Sequence, residues 1–207
     1  WGHVSTLVLS ENVLVNQKIE DVLEAIGRYR ELRYLMWVFT TREPLDDVLS
    51  VTPFFRMSPK SSILHSPEQN YRQHSLIPPV RLYQFSQYFN EKAKTGYIPE
   101  IGIDREVWKE QRKTREMFKY TAIHFYDNNR YLGRLTADEL DGLPWMNRRT
   151  VRFPLNLSKD GRLAAVLVVE SPEVEIHPEV RNGKAYFDVT VRAHAGINEL
   201  YQNVNEK

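Results

Sequence analysis

Apolar and polar positions in the first half of the chain alternate between strand-like and helix-like spacing. Residues 4–9 become continuously apolar, and residues 19–26 then place an apolar side chain every three or four positions. The apolar run at 34–39 predicts a strand buried on both faces. Pro44 suits the first turn of a further helix through Leu49. This order predicts a mixed sheet with helices against it, closed by right-handed crossovers if its first two strands are parallel.

The middle of the chain has less regular spacing. Residues 52–79 are rich in proline and serine, which predicts a long irregular segment. Within 80–94, Leu82, Phe85 and Phe89 recur at helical spacing, so we predict a helix that ends before Thr95.

A run dense in both charge signs follows at 104–118. We predict that this run is a charged linker between the remainder of an N-terminal domain, 1–103, and a mainly antiparallel β domain, 119–207. A nucleic-acid-binding segment is the alternative, but the interleaved acidic residues favour a solvated linker or helix face.

The second domain begins with a predicted hairpin. Residues 120–126 and 131–135 have strand character, and Asn128-Asn129 between them tolerates the positive φ of a tight turn. Thr136 and Glu139 then form a capping box that predicts the start of a short helix.

The end of that short helix is predicted from Gly142 and Pro144, since glycine suits the closing position and proline cannot continue the turn. Trp145 follows directly. We expect Trp145 to fill the core beneath Leu140 and Leu143, where truncation to alanine would cost roughly 3–5 kcal/mol.

Two more hairpins complete the predicted sheet. Residues 151–157 and 163–169 have strand character around a glycine-containing turn, and Asn182-Gly183 predicts a second reversal between strands at 174–176 and 187–191. The fold class is therefore α+β, with a mixed sheet and helices in the first half. The second half is predicted as an antiparallel meander with one short helix.

Several stretches carry a resemblance to a known family. Residues 119–145 read as strand, two-residue turn, L-G strand, acidic helix and G-L-x-W. Matching pieces elsewhere are W-G-H-V at 1–4, E-L-R at 31–33, T-G-Y at 95–97, and I-x-P-x-V with N-G-K within 174–191. Together these motifs resemble the spore germinant receptor C-subunit family, the Ger(x)C-type spore germination lipoproteins.

This resemblance implies a protein longer than the present chain. Family members begin with a signal peptide and a lipid-modified cysteine and continue into a third region, so residues 198–207 are expected to be a severed linker or the start of that region. The resemblance implies a non-enzymatic receptor subunit tethered by lipid to the outer face of the spore inner membrane. Its implied partners are the integral-membrane A and B subunits, which act with it in the response to nutrient germinants.

The composition and charge of the chain exclude several classes of function. The 207 residues carry 28 basic and 27 acidic side chains and a formal charge of +1. The net charge is therefore too small to attract nucleic acid or an anionic membrane over long range. The chain has no cysteine, which excludes disulfides and thiolate chemistry. No apolar run approaches 18 residues, so nothing in it is predicted to span a bilayer.

The titratable residues show no catalytic or metal-binding spacing. Histidines stand without H-x-x-x-H or H-E-x-x-H spacing at positions 3, 65, 74, 124, 177 and 194. A zinc site would have to be assembled wholly by the fold. His65 and His74 are interpreted as solvated loop residues rather than as pH sensors.

Other candidate chemistry is also weak. Two of Glu170, Glu173 and Glu175 could form the carboxyl pair of a glycosidase, but all three fall near strand ends that we expect to be wet. Gly133 and Gly142 are interpreted as strand and helix-end glycines rather than as a phosphate loop. We therefore predict no catalytic, metal or cofactor residues, with an unknown binding surface. The alternatives are a secreted carbohydrate- or peptidoglycan-binding module and a cell-wall glycosidase.

Overall fold

The computed structural model describes residues 4–16, 19–29, 34–92, 94–127 and 129–201. The motif residues at 1–3 and 31–33, the predicted turn residue Asn128 and the C-terminal residues 202–207 lie outside the described residues. The chain divides into two compact units, the first formed by Trp1–Glu68 with Ile77–Leu140 and the second by Gln69–Leu76 with Asp141–Lys207.

The first unit is built on a five-stranded mixed sheet. The strands lie in the order β1-β2-β3-β4-β5, with β1, β2 and β3 parallel and β3, β4 and β5 antiparallel. Its elements in chain order are β1 (Thr6–Ser10), α1 (Glu11–Asn16), α2 (Ile19–Gly27), β2 (Trp37–Thr41), α3 (Leu45–Ser50), the start of α4 (Pro67–Gln73), α5 (Leu82–Asn90), β3 (Gly96–Glu110), β4 (Lys113–Asp127) and β5 (Arg130–Thr136).

The predicted buried strand is present, but it covers Trp37–Thr41 rather than 34–39, and every residue of it is buried. Residues 34–36 form a turn instead, in which Tyr34 and Leu35 are exposed. Alternation along β2 sends Val38 to one face and Phe39 to the other, and a separate apolar core lies on each side. Both side chains are almost wholly inaccessible to solvent. The sheet is therefore covered on both faces, with α1, α2 and α5 contributing to the core that contains Val38.

The predicted helices of the first half are confirmed as α2, α3 and α5. The segment at 52–79 is less irregular than we predicted, since it holds α4 and two short 3₁₀ turns. Tyr71 and Ile77 in this segment are buried. Apolar side chains that lacked a regular spacing in the sequence therefore anchor it through tertiary packing.

The charged run at 104–118 is not a linker. It forms the paired ends of β3 and β4, which reverse at Gln111 and Arg112 with positive φ. Arg105 contacts the carboxylates of Glu43 at 3.1 Å and Asp47 at 3.0 Å. The opposite charges are thus used in ion pairs around a long ribbon, which the mixed charge pattern alone did not distinguish from a solvated linker.

The second unit contains a three-stranded antiparallel sheet in the order β6-β7-β8. Its elements are α6 (Leu143–Met146), β6 (Arg152–Lys159), β7 (Arg162–Arg181) and β8 (Lys184–Leu200). The predicted turns at Asp160-Gly161 and Asn182-Gly183 are confirmed, each with two positive φ values. The α+β fold class is confirmed in both halves of the chain.

The prediction that Gly142 and Pro144 end a helix was wrong, because both lie at the start of one. Thr136 and Glu139 do form the capping box, with the Thr136 N–H donating to Glu139 at 2.8 Å, but only a 3₁₀ turn at Asp138–Leu140 follows. Gly142 precedes α6 with a right-handed φ of −78°, and Pro144 lies within its first turn. Proline fits there because the first N–H groups of a helix have no acceptor within the helix.

Candidate functional site

The most buried charged group among the described residues is the carboxylate of Glu100, which is 2% exposed in the middle of β3. Strand register brings its partners together from β4 and β5. Glu100 lies opposite Ala122, and His124, two residues further along β4, lies opposite Arg134 of β5. Residues separated by two positions share a sheet face, so the three side chains meet on one side.

Hydrogen bonds saturate this carboxylate. Arg134 donates to both oxygens of Glu100, from Nε at 2.6 Å and from Nη2 at 2.7 Å. Thr121 donates its hydroxyl to Oε1 at 2.6 Å, and Nε2 of His124 lies 2.8 Å from Oε2. The other ring nitrogen of His124 contacts the Tyr131 hydroxyl at 3.0 Å.

These contacts fix the charge of Glu100. Burial alone would raise the pKa of the Glu100 carboxyl, but hydrogen bonds from Arg134, His124 and Thr121 and the charge of Arg134 hold that pKa well below its ordinary value. A carboxylate kept ionised in this way cannot serve as a general acid near neutral pH. The cluster has the properties of a structural ion-pair network.

The same cluster contains a group of possible metal ligands. Glu11, Glu100 and His124 each offer a ligand atom within 4.8 Å of the others, which is a plausible donor set. However, both oxygens of Glu100 already face the Arg134 guanidinium, and Glu11 forms an ion pair with Arg42 at 3.0 Å. A cation would have to displace a permanent positive charge, so the residues do not fit a metal ion.

The remaining sequence candidates are dispersed. His65, His177 and His194 are exposed, as are Glu170, Glu173 and Glu175. His3 lies outside the described residues. The Glu100 network was missed in the sequence because Glu100 interrupts an otherwise apolar stretch in β3, and only strand register connects it with Arg134.

Trp145 does not occupy the core position that we expected. It is half-buried and lines a cavity of about 400 Å³ in the second unit, with its ring 4.7 Å from that of Phe153 in an edge contact. Because part of the residue stays exposed, the full cost of truncating a wholly buried tryptophan does not apply to it. The reason is the placement of Pro144 and Trp145 within α6, rather than after a preceding helix.

Comparison with known proteins matches this chain to one family. The family model described as the N-terminal domain of spore germination proteins matches residues 1–103, and the model described as spore germination B3/GerAC like, C-terminal, matches residues 121–207. Spore germination protein B3 of Bacillus subtilis (strain 168) is 26% identical over 207 residues, which cover 99% of this chain and 52% of that protein.

A solved structure has the same fold. The crystal structure of the GerBC protein aligns with a TM-score of 0.59 at 21% identity, covering 97% of this chain and 55% of the GerBC chain. The present chain therefore spans about half the length of the relatives that it matches. Within the described residues, no helix is long and apolar enough to cross a membrane. The two family matches together account for nearly all of the sequence, and the chain belongs to the GerAC-like family of spore germination proteins.

Proposed function

We propose that this protein is a non-enzymatic, extracytoplasmic subunit of a nutrient germinant receptor that is required for spore germination. It acts by assembly with integral-membrane A and B subunits and is held by lipid at the outer face of the spore inner membrane. Family membership supports the general role in germination. An exposed apolar face in the second unit supports the assembly mechanism, and this observation carries the proposal.

The exposed face belongs to the long ribbon of β7 and β8. Cross-strand pairs in the ribbon place apolar residues opposite one another on one side, with Ile176 opposite Val189 and Pro178 opposite Phe187. Phe187 is 63% exposed, and Val180 near the tip of the ribbon is 75% exposed. We call this side the ribbon apolar face, formed by Val174, Ile176, Pro178, Val180, Ala185, Phe187, Val189 and Val191.

A β-bulge keeps this face continuous with the rest of the sheet. The register shifts between Glu170 and Glu173, where Ser171 has a φ of 44°. The extra residue shifts the alternation of side chains along β7 by one position. Val174 therefore points to the same face of the sheet as Val169. Bulges that preserve an apolar face indicate that the sequence maintains that face along the whole ribbon.

The opposite side of the ribbon is polar. Glu175 forms an ion pair with Arg192 at 3.2 Å, and His177 lies opposite Asp188. A two-stranded ribbon is marginally stable in water unless an apolar face is covered. Nothing in the described part of the chain covers the ribbon apolar face, and exposed apolar patches of this kind are typical of protein interaction sites. We therefore propose that the membrane subunits bind to the ribbon apolar face.

An enzymatic role has less support. Glycoside hydrolysis needs one protonated carboxyl and one carboxylate flanking the same bond. Glu170, Glu173 and Glu175 are exposed in the sheet, and the buried Glu100 is held ionised by Arg134. Neither set supplies the required acid and base pair.

The proposal predicts that charge on the ribbon apolar face disrupts assembly. Phe187→Asp and Val189→Asp in the full-length protein should lower the amount of A and B subunits that co-purify from spores by about tenfold or more, since central aromatic contacts carry much of an interface's affinity. Nutrient germination should fail in parallel. Subunit abundance in the spore is measured by immunoblot.

Matched controls lie on the polar side of the same ribbon. Tyr186→Asp and Thr190→Asp introduce the same charge next to the tested positions and should leave co-purification and germination unchanged. Glu175→Ala and His177→Ala should do the same. Normal co-purification of both apolar-face variants would contradict the assembly proposal, and loss of germination in Glu175→Ala or His177→Ala with an assembled receptor would indicate a catalytic or gating site.

A further inference from the structure

Phe55 has a backbone conformation that large side chains rarely adopt. It lies in the 3₁₀ turn at Phe54–Arg56 with a φ of 58° and a ψ of 23°, in the left-handed region. A bulky residue is strained there, whereas glycine is not. Burial does not offset this strain, because 79% of Phe55 is exposed to solvent. The packing of the fold therefore gives no reason for an aromatic residue at this position.

The strained turn is held in place by the ends of β3 and β4, which we call the β3–β4 ribbon. The backbone N–H of Phe55 donates to Oε1 of Glu110 at 3.2 Å, and Nε of Arg115 donates to Oε2 of the same carboxylate at 2.7 Å. The carbonyl of Thr52 accepts from the N–H of Glu116 at 3.4 Å. The ribbon thus fixes the turn while the phenyl ring stays in solvent.

Positive charge is concentrated around this phenylalanine. Residues 54–60 and 109–115 together contain six basic side chains and one acidic side chain, whereas the whole chain has a formal charge of +1. The acidic residue, Glu110, is already paired with Arg115 at 2.6 Å. Within the part of the chain that the structure describes, four of the basic residues are exposed and have no ion-pair partner, namely Lys60, Lys109, Arg112 and Lys113. The two segments therefore form a local positive patch on a nearly neutral protein.

Strand register places part of this charge on the side of the ribbon that holds Phe55. Lys113 is the cross-strand partner of Glu110, so the two side chains point to the same side. Arg112 lies in the reversal at the ribbon tip, with a φ of 65°. Lys109 alternates to the other side. It still adds to the potential, because the Debye length is about 8 Å at physiological ionic strength.

An anionic lipid bilayer matches an exposed apolar side chain with cations beside it. Apolar side chains of peripheral proteins enter the boundary between head groups and acyl chains, and neighbouring lysine and arginine residues attract anionic head groups. Met57, two residues after Phe55, is also 44% exposed. We infer that Phe55 and Met57 insert into the surface of an anionic bilayer, with Arg112 and Lys113 on its head groups.

Other anionic partners fit these residues less well. Nucleic acid offers phosphates but no apolar layer for Met57, and an acidic protein would need a pocket of its own for the ring of Phe55. A bilayer offers an apolar layer at every point of its surface. The contact deepens the membrane location in the proposed function, on which its role in the spore rests. It does not involve the ribbon apolar face of β7 and β8.

Co-sedimentation of the 207-residue chain with lipid vesicles tests this contact. The chain contains no cysteine, so no thioether-linked lipid holds it on a vesicle. It should bind vesicles of phosphatidylglycerol and phosphatidylcholine in equal parts about tenfold or more tightly than vesicles of phosphatidylcholine alone, and added salt should weaken this binding. Lys113→Ala should weaken it by about fivefold, the share of one cation near an anionic surface.

Phe55→Gly separates lipid binding from folding. Glycine adopts the positive φ without strain, so the thermal unfolding temperature should change little. Binding to the anionic vesicles should nevertheless fall by about tenfold or more, because no ring enters the apolar layer. Tyr83→Ala removes an exposed ring on α5, and Lys92→Ala removes an exposed cation just after that helix. Both control variants should bind like the unmodified chain.

The inference is overturned if the chain binds neither kind of vesicle, or binds both equally. It is also overturned if Phe55→Gly and Lys113→Ala bind as tightly as the unmodified chain. Binding to poly-L-glutamate that depends on Phe55, without binding to vesicles, would assign the surface to an acidic protein instead and would equally contradict the inference. None of these measurements involves the A and B subunits, so failure here is distinguishable from failure of the proposed assembly function.

Discussion

Replacement of Glu100 by alanine should lower the free energy of unfolding by roughly 3–5 kcal/mol, the usual cost of removing one partner from a buried ion pair. The physical reason is that Arg134 loses the acceptor of both its hydrogen bonds, at 2.6 and 2.7 Å. His124, which is 0% exposed, loses its contact at the same time. Urea denaturation at pH 7 measures the change.

Three further variants show whether charge is the cause. Thr121→Val removes one hydroxyl donor to the charged Glu100 and should cost about 1.5–3 kcal/mol, less than loss of the carboxylate itself. The double variant Glu100→Leu with Arg134→Leu should be more stable than Glu100→Ala, because it leaves no unpaired charge. Glu91→Ala, an exposed glutamate, should change little. A loss below about 1 kcal/mol in Glu100→Ala would mean that water enters the cluster.

The same network makes stability depend on pH in a defined direction. Because the folded state holds the pKa of Glu100 below its ordinary value of 4.5, the unfolded chain binds the proton more readily. The stabilisation from this group is complete above that ordinary pKa and declines as the pH falls below it. The decline between about pH 5 and pH 3 should be shallower in Glu100→Gln than in the unmodified protein.

The second large effect is expected in the core of the first unit. Phe85→Ala should cost roughly 3–5 kcal/mol, the range for aromatic residues truncated in a packed interior. Phe85 is 1% exposed, and its ring lies 5.5 Å from Phe89 and 5.7 Å from Tyr126. These three rings connect α5 with β4, so the cavity left by the alanine cannot collapse easily. Thermal and urea unfolding measure the loss.

Tyr83 is the matched control for Phe85, because it lies in the same helix and is 45% exposed. Tyr83→Ala should change stability by less than about 0.5 kcal/mol. Equal losses in the two variants would mean that α5 does not pack against the sheet through its Phe85 face.

The elements that the sequence predicted well are those with strong local signals. The Asn182-Gly183 reversal and the buried strand β2 are each determined by a few neighbouring residues. The reversal is confirmed, and the strand is confirmed with its start shifted from 34 to 37. The helix of α5 also follows from its own spacing. Local periodicity is enough to predict an element whose residues are all buried. Turn residues are enough to predict a reversal whose backbone conformation only a few residue types adopt.

The features that the sequence did not predict depend on partners far away in the chain. The 104–118 run forms a ribbon because Arg105 finds acidic partners on α3 and β4. Glu100 becomes a network centre only when Arg134, in another strand, is aligned with it. Trp145 lines a cavity because Pro144 begins a helix instead of ending one. None of these outcomes follows from composition or local spacing.

Photo-cross-linking from the ribbon tests most directly whether the protein works by assembly through its apolar face. Phe187 and Tyr186 are adjacent aromatic residues on opposite sides of β8, so a photoreactive phenylalanine analogue at either position changes the chain little. In full-length protein within spores, position 187 should cross-link to an integral-membrane receptor subunit and position 186 should not. Cross-links to that subunit from 186 alone, or from neither position while the receptor is assembled, would contradict the assignment.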